Sequence, residues 1–414
     1  MALTQIPPVM IDGGLGLDWQ SSVETSSFTA VNGNGYFVNT TSGSITVTMS
    51  SSPTTGDSIG IIDYAGTAAS NIIILTSSNN IQGSSDDKIV NYTRGALRIT
   101  YADVTQGWVA SAAANEGTSA LNPSPLLVDY LVVAGGGSGG SQYGGGGGAG
   151  GLLTNYNNGV AAIPLSLSTQ YNVTVGVGGA GVIYATSPSN NGADSVFDSV
   201  TSKGGGYGGY FFGGSTASTG GNSGGSGGGG GMGLSAGVST AGGIAAPPGQ
   251  GSDGGYGYRG SGGGDYLGGG GGGSSAPGQD GNAGATSTGG FGGAGSSVSI
   301  TGTALSYAGG GGGSGSITGG AGGAGGGGTG TGNSYNGATI NGTINTGGGG
   351  GGMLPYASGS LSGSGGSGIV ILRYPTADVS SFAVTGTLNT PTPSIVGTDS
   401  ILQFTGGTGT ITFS

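Results

Sequence analysis

The sequence predicts an all-β protein with three parts. These are an N-terminal β-sandwich or jelly-roll-like module, a glycine-rich domain of short strands and packed polyglycine II rods, and a small β C-terminal tail. In the first third of the chain, apolar and polar residues alternate with a period of two and show no helical periodicity. The 414 residues include 109 glycines. Most of these glycines lie in runs between two apolar segments, residues 129–134 and 369–374.

The glycine runs allow two structures, a disordered tether or a packed array of extended rods. Glycine loses more backbone freedom on folding than other residues, about 1 kcal/mol against alanine, and supplies no side chain to a core. Polyglycine II helices, which share the three-residue repeat of polyproline II, could instead bond to one another where only hydrogen fits between them. Charged residues make up only 6% of the chain, which disfavours a solvated tether. Irregular spacing and only 14 prolines exclude collagen.

Changes in composition predict four domains. Residues 1–25 form an N-terminal attachment arm, which opens with a short apolar leader containing two adjacent prolines. Residues 26–118 form the sandwich module and end in a small, polar linker. Residues 119–375 form the glycine-rich domain, and residues 376–414 form the C-terminal β tail, rich in threonine and serine. The apolar segments at the two ends of the glycine-rich domain are predicted to be strands that close it.

Strands of the sandwich module are predicted from alternation. Ile45, Val47 and Met49 alternate with threonines, and Leu97, Ile99 and Tyr101 alternate with Arg98 and Thr100. The apolar run from Ile72 to Leu75 predicts a strand covered on both faces. Turn signals separate these strands, among them Asn32-Gly33 and Gln106-Gly107.

Composition excludes several classes of function. The chain has no cysteine and no histidine, which removes thiolate chemistry, histidine metal sites and imidazole acid–base catalysis. We therefore predict that the protein is not an enzyme and needs no cofactor. A formal net charge of −11 argues against binding to nucleic acid. No stretch is long and apolar enough to insert in a membrane, and the N-terminus carries no recognisable export signal.

Four features of the sequence suggest chemistry but have simpler interpretations. The pattern GxGxxG recurs, yet neither lysine follows a glycine, so a phosphate-binding P-loop is absent. Calcium solenoids repeat the motif GGxGxD in tandem, whereas this chain has one imperfect copy, from Gly260 to Asp265, with no neighbouring copy. Adjacent aspartates at Asp86-Asp87 are better explained as a solvated turn than as a catalytic pair. Asp253, Asp265 and Asp280 lie in glycine-rich turns, where aspartate usually accepts hydrogen bonds from backbone amides.

Aromatic residues interrupt the later glycine runs and are the strongest candidates for binding. Tyrosine offers a flat apolar ring, a hydroxyl group and little rotamer entropy, which enriches it in binding surfaces. We expect about half of these aromatics to fill gaps between rods and sheets and the others to be exposed. The candidates for receptor binding are Tyr207, Tyr210, Phe211, Phe212, Tyr256, Tyr258 and Tyr266.

An ordered set of segments resembles a known family. VDYLVVAGGGSGG, YNVTVGVGGAG, NGADSVF and the closing SGSGGSGIVILRYP, within residues 128–375, resemble the glycine-rich domain of tailed-phage tail fibres and adhesins. The opening ALTQIPPVMID looks like the N-terminal peptide of such fibres. The strand-rich block before the linker is similar to a β-module of marine phage fibres. Residues after Pro375 resemble the family only through QFTGGTGTITFS.

The resemblance implies a virion protein, made in the host cytoplasm, that binds a host receptor through loops of the glycine-rich domain. The receptor would be a surface glycan or an outer-membrane component, and homotrimers are usual in the family. The N-terminal arm would contact other virion proteins through Leu3, Ile6, Pro7, Pro8, Met10 and Ile11. Two alternatives remain open: a capsid decoration or head fibre protein on the particle surface, and a depolymerising tailspike with clustered carboxylates.

Overall fold

The computed structural model describes residues 16–113, 122–123, 125–183, 189–211, 219–262, 264–282, 287–333, 340–355 and 361–414. These residues form strands and extended segments and contain no α-helix, which confirms the predicted all-β class. The chain divides into two compact units, Met1–Pro125 and Leu126–Ser414. The six predicted attachment residues between Leu3 and Ile11 lie outside the described residues.

The first unit contains two five-stranded sheets. Its strands are β1 (Asp18–Glu24), β2 (Phe28–Thr29), β3 (Asn34–Val38), β4 (Ile45–Thr48), β5 (Ser58–Asp63), β6 (Ile73–Thr76), β7 (Lys88–Val90), β8 (Ala96–Asp103), β9 (Gly107–Ala113) and β10 (Asn122–Pro123). The strand orders are β1-β3-β5-β8-β9 and β10-β7-β6-β4-β2. β1 lies within the residues predicted as an arm, although its sequence DWQSSVE does not alternate in the way that predicts a strand.

Consecutive strands β1 to β6 alternate between the two sheets, so that neighbours within each sheet run parallel. β8 and β9 then complete one sheet, and β7 and β10 complete the other, as antiparallel partners. The inward residues of both sheets share one core around the fully buried Trp108. The module is therefore a β-sandwich, one of the two forms that were predicted. The strand pattern did not predict that neighbouring strands in each sheet run parallel.

The alternation predicted for β4 and β8 is confirmed, because Ile45, Val47, Leu97 and Ile99 are all buried. The prediction for residues 72–75 is wrong for one face of β6. Ile73 and Leu75 are fully buried, whereas Ile72 and Ile74 are only partly buried. The outer face of this sheet is therefore less covered than a continuous apolar run suggests.

The second unit begins at the first apolar segment. Its strands are β11 (Leu126–Val133), β12 (Leu152–Thr154), β13 (Ile163–Leu165), β14 (Gln170–Val175), β15 (Ser195–Phe197), β16 (Val200–Ser202), β17 (Ser239–Thr240), β18 (Gly257–Arg259), β19 (Tyr266–Leu267), β20 (Ser296–Val298), β21 (Leu305–Tyr307), β22 (Ile369–Pro375), β23 (Phe382–Val384), β24 (Ser394–Val396), β25 (Asp399–Phe404) and β26 (Gly407–Phe413). A short 3₁₀ turn spans Thr376–Asp378.

Two larger sheets form a sandwich in this unit, with orders β12-β11-β22-β25-β24 and β16-β15-β14-β26-β23. The predicted closure of the domain is confirmed, since β11 pairs antiparallel with β22 and Tyr130 lies opposite Leu372. Residues 376–414, predicted as a tail, supply β23 to β26 to both sheets. Phe404 and Phe413 from this segment are fully buried in the shared core with Phe197.

A charged cluster lies on the sheet that contains β11 and β22. Arg373 donates to Asp399 over 2.8 Å, to the Tyr156 hydroxyl over 2.9 Å and to the Ile300 carbonyl over 3.2 Å. Asp129 lies opposite Arg373 in the β11–β22 register. Burial raises the pKa of Asp129 above its ordinary value, Arg373 opposes this shift and Asp399 adds to it.

The raised pKa of Asp129 predicts a pH-dependent stability difference for Asp129→Asn. The folded state binds the proton of Asp129 more tightly than the unfolded state does, so this carboxylate lowers stability once the pH rises above the unfolded pKa. We expect Asp129→Asn to be more stable than the unsubstituted chain at pH 7, by no more than about 1 kcal/mol because the group is partly solvated. The gain should disappear below pH ~4, where the carboxyl is protonated in both states.

Thermal unfolding of the second unit at pH 7 and pH 3 measures this difference. Asp378→Asn, at an exposed aspartate of the same unit, serves as the control for a general change in net charge. An equal gain in both variants, or a gain for Asp129→Asn that persists at pH 3, would contradict the prediction.

Candidate functional site

The glycine runs pack side by side as extended rods, as predicted, and residues 144–151 form a rod near their centre. Every third amide of this rod donates to the same neighbour. Gly144 and Gly147, for example, donate to the carbonyls of Met353 and Gly350 over 3.2 and 2.8 Å. A repeat of three residues, with amides and carbonyls pointing outward, is the geometry of the polyglycine II helix.

Rod 144–151 has a neighbour on every side. Its amides donate to residues 347–353, 203–209 and 269–272, and its carbonyls accept from residues 134–140, 226–229 and 311–314. The buried backbone groups thus find partners without a sheet or an α-helix, which meets the requirement that buried amides and carbonyls be paired.

The close spacing of the rods explains the glycine content. A Cβ atom added at Gly145, Gly146 or Gly147 would lie 2.0–2.1 Å from a backbone oxygen of a neighbouring rod. Real Cβ atoms do not approach so closely, and the obstacle is backbone rather than a flexible side chain. Glycine at these positions is therefore required by contact rather than by backbone conformation.

The sandwich of the second unit forms the base of the rods. The chain leaves β11 at Val133 directly into a rod, and it leaves β14 and β16 in the same way. Rod 144–151 returns to this base, where Gly151 donates to Lys203 just after β16. Tyr307 and Ile300 pack between rods and sheet at the base, and Tyr307 fills a gap as expected for part of the aromatic set.

The opposite ends of the rods, here called the tip, bring together residues from distant parts of the sequence. Met232 donates to the carbonyl of Tyr143 over 3.1 Å, and Phe211 donates to that of Gln142 over 3.3 Å. Rod 144–151 spans seven steps, so base and tip are separated by about 20 Å at ~3.1 Å per residue. The rods thus separate the sandwich from the tip by a fixed spacer.

Tyr210 and Phe211 lie at the tip, and Tyr207 lies one rod turn below them. All three side chains are partly exposed. Burial raises the pKa of Tyr210 above its ordinary value, and Tyr207 adds to this shift. Phe212, the fourth candidate of this group, lies outside the described residues.

The second group of candidates is positioned by a small sheet in the order β17-β18-β19. Tyr258 lies opposite Ser239 on β17, and Tyr256 precedes it by two residues, so these side chains share one face. Tyr256 is 51% exposed. Gly257 between the two tyrosines contacts the neighbouring rod, since a Cβ there would lie 1.9 Å from the Gly231 oxygen.

A cleft of about 550 Å³ opens on this face, lined by Ser239, Tyr256, Tyr258, Asp280 and Gly281. Asp280 Oδ1 accepts the amide of Tyr256 over 2.7 Å, and the amide of Gly281 donates to the carbonyl of Tyr256 over 2.9 Å. Both backbone groups of Tyr256 are therefore fixed by one neighbouring rod. We call this set of five residues the tyrosine cleft.

Tyr266 does not belong to the tyrosine cleft. It lies opposite Arg259 in the β18–β19 pair, and the Arg259 guanidinium lies 5.3 Å from the centre of its ring. Tyr143 packs on the same ring at 4.6 Å. Arg259 also donates to the carbonyl of Leu234 over 2.9 Å. Because neighbouring strand residues point to opposite faces, this stack lies on the other side of the small sheet from Tyr258.

Two of the three aspartates accept backbone amides as predicted, but these amides belong to neighbouring rods and not to the local turn. Asp265 instead accepts the Ser287 hydroxyl. Asp253 Oδ1 accepts the amide of Ala245 over 2.7 Å, as Asp280 accepts that of Tyr256. Asn191 Oδ1 likewise accepts the amide of Tyr207 over 3.0 Å. At the edge of the rod array, a side-chain oxygen thus replaces the carbonyl that an inner rod would supply.

Sequence reasoning assigned no binding role to Asp280, Ser239, Tyr143 or Arg259. Only the packing of rods places Asp280 beside Tyr256, because 24 residues separate them along the chain. In the described part of the chain, no group of three or more histidine, cysteine or acidic residues could hold a metal ion. The described residues also contain no helix with the length and apolar character needed to cross a membrane.

Comparison with known proteins agrees with this architecture. A search of the curated proteins finds no match. Residues 113–375 match the family described as a glycine-rich domain. The matched segment covers more than half of the chain and contains the rods together with the two strands that close them. The chain therefore belongs to the glycine-rich domain family.

Proposed function

We propose that the protein is a phage virion fibre that binds a host receptor through the tip of its glycine-rich domain. The observation that carries the proposal is the concentration of partly exposed aromatic residues at one end of a rigid rod array. Tyr210, Phe211, Tyr256 and Tyr258 are held there by backbone contacts of neighbouring rods. Such pre-ordered aromatic surface binds with little loss of rotamer entropy.

The course of the chain supports a distal role for the tip. The second unit begins with β11, which starts at Leu126 and runs toward the rods. The chain therefore enters at the base and displays the tip at the other end. In this proposal the N-terminal arm attaches to other virion proteins, and the receptor is a surface glycan or an outer-membrane component.

Weak contacts at one tip would be strengthened by several copies of the chain. A homotrimer presents three tips on one fibre, and linked sites can raise overall affinity by factors of about 10² to 10⁴. The proposed role is binding without catalysis, which agrees with the lack of cysteine and histidine in the sequence.

Antibody labelling of intact virions, followed by electron microscopy, tests the location. We expect label on the tail and none on capsid faces. A second measurement asks whether purified protein competes with virions for adsorption to host cells, with Tyr256→Ala/Tyr258→Ala expected to compete at least tenfold less well. Label confined to capsid faces, together with no competition, would favour a decoration protein and contradict the proposal.

A further inference from the structure

We infer that the tyrosine cleft binds an uncharged saccharide unit, an assignment that rests on the proposed receptor-binding function and names the chemistry of its ligand. The cleft of about 550 Å³ falls in the range of ~300–1,000 Å³ typical of small-ligand sites. It combines two phenol rings with a carboxylate and a serine hydroxyl.

The polar groups of the cleft are available to a ligand. Asp280 Oδ1 is occupied by the amide of Tyr256. Within the described residues, Asp280 Oδ2, the Ser239 hydroxyl and the two tyrosine hydroxyls have no hydrogen-bond partner in the protein. A carboxylate oxygen accepts hydrogen bonds only, whereas serine and tyrosine hydroxyls both donate and accept. Vicinal hydroxyls of a sugar match this combination of a strong acceptor and several mixed groups.

The rings provide the apolar part of the site. Tyr256 and Tyr258 lie on one face and flank a glycine that is fixed against the neighbouring rod. The C–H face of a sugar ring is apolar while its edge is polar, so phenol rings beside hydroxyl partners suit both parts. Glycine is required at position 281 by packing on β19, since a Cβ there would lie 2.7 Å from the Cβ of the buried Leu267.

The negative charge of the cleft favours neutral saccharides over acidic ones. Asp280 is the only charged residue among those lining the cleft. Arg259 is the neighbour of Tyr258 in sequence, but it is directed to Tyr266 and to the carbonyl of Leu234 on the other face. A sugar carboxylate or phosphate would therefore meet a carboxylate without a compensating cation, which disfavours acidic sugars.

Saturation-transfer NMR on the full chain tests the inference with defined probes. The panel contains methyl glycosides of glucose, galactose, mannose and N-acetylglucosamine, together with N-acetylneuraminic acid and galacturonic acid. We expect saturation transfer to at least one neutral glycoside and weaker or no transfer to either acid. Binding of the acids alone, or of none of the probes, overturns the inference.

Variants locate the binding to the cleft. Asp280→Asn keeps the oxygen that accepts from Tyr256 but removes the charge, and Tyr258→Phe removes only a hydroxyl, so both should fold. We expect Asp280→Asn and Tyr256→Ala/Tyr258→Ala to weaken binding of the neutral glycoside at least tenfold, and Tyr258→Phe about threefold. Tyr64→Ala, at a tyrosine of the first unit with 52% exposure, should leave it unchanged. Unchanged binding in Asp280→Asn overturns the assignment of the cleft.

This experiment separates the inference from the proposed function. If the protein competes for adsorption to cells while Asp280→Asn competes equally well, the receptor function stands and the inference about the cleft fails. If a neutral sugar binds in the cleft while virion labelling places the protein away from the tail, the fibre function fails and the inference about the ligand stands.

Discussion

Gly146→Ala should unfold or strongly destabilise the second unit. The added Cβ would lie 2.0 Å from the Gly311 oxygen and 2.5 Å from its carbonyl carbon. Gly146 also donates to Gly269 over 2.9 Å and accepts from Gly229 over 2.8 Å, so the rod cannot move from one neighbour without disturbing others. Overpacking of a well-packed core costs about 1–3 kcal/mol. We expect Gly146→Ala to lower the free energy of unfolding by at least ~3 kcal/mol, because the atoms that block the new Cβ belong to the backbone.

Calorimetry of the second unit's unfolding transition measures this effect. Gly406→Ala is the matched control, since its Cβ would meet nothing within 4 Å, and it should change stability by less than ~0.5 kcal/mol. Hydrogen exchange of the unsubstituted chain gives a second readout, because amides of rod 144–151 should be strongly protected in an ordered array. Rapid exchange of these amides, or equal stability of the two variants, would favour a loose tether and contradict the rod packing.

Asp63→Asn and Asp63→Ala should destabilise the first unit. Asp63 ends β5 and is fully buried. One carboxylate oxygen accepts from Gly66 and Thr67 over 3.0 and 3.3 Å. The other accepts from Ala68 and Arg94 over 3.1 and 3.0 Å. The side chain thus fixes the loop after β5 to the loop before β8.

Replacing one carboxylate oxygen with an amide NH₂ leaves two backbone donors facing a donor. A buried donor without a partner costs about 1–3 kcal/mol. We therefore expect Asp63→Asn to lower the free energy of unfolding of the first unit by about 3 kcal/mol, and Asp63→Ala to lower it at least as much. Both tryptophans, Trp19 and Trp108, lie in the first unit, so urea unfolding followed by tryptophan fluorescence reports on this unit. Asp18→Asn, at an exposed aspartate of β1, should be near neutral. A loss below ~1 kcal/mol in Asp63→Ala would show that this carboxylate does not hold the loops.

Much of the architecture could be predicted from local pattern. Alternation over Ile45 to Met49 and Leu97 to Tyr101 gave the inward faces of two strands, which the structure confirms. Local pattern could not give the alternation of β1 to β6 between two sheets. Period-two patterning fixes which face of a strand is buried, but it does not say whether the next strand joins the same sheet or the opposite one.

The candidate site shows the same division. The aromatic character of residues 256–258 was visible in the sequence, and the structure places both tyrosines on one face. Asp280 and Ser239 join them only through contacts between rods that are distant along the chain. The separation of Tyr266 from this cleft likewise depends on strand register, which places it opposite Arg259.

The sequence by itself determined the all-β class, and it predicted closure of the glycine-rich domain by the apolar strands around Tyr130 and Leu372. For the glycine runs it allowed rods or a tether and favoured rods, and the hydrogen bonds between runs show the rods. Low charge and 109 glycines leave backbone hydrogen bonding as the main source of order, and closely packed rods satisfy it without water. The tertiary structure alone decided which rod neighbours which. Glycine runs have nearly identical backbones, so their pairing is set by the sheets at the base and by anchors such as Asn191 and Asp280 at the edge.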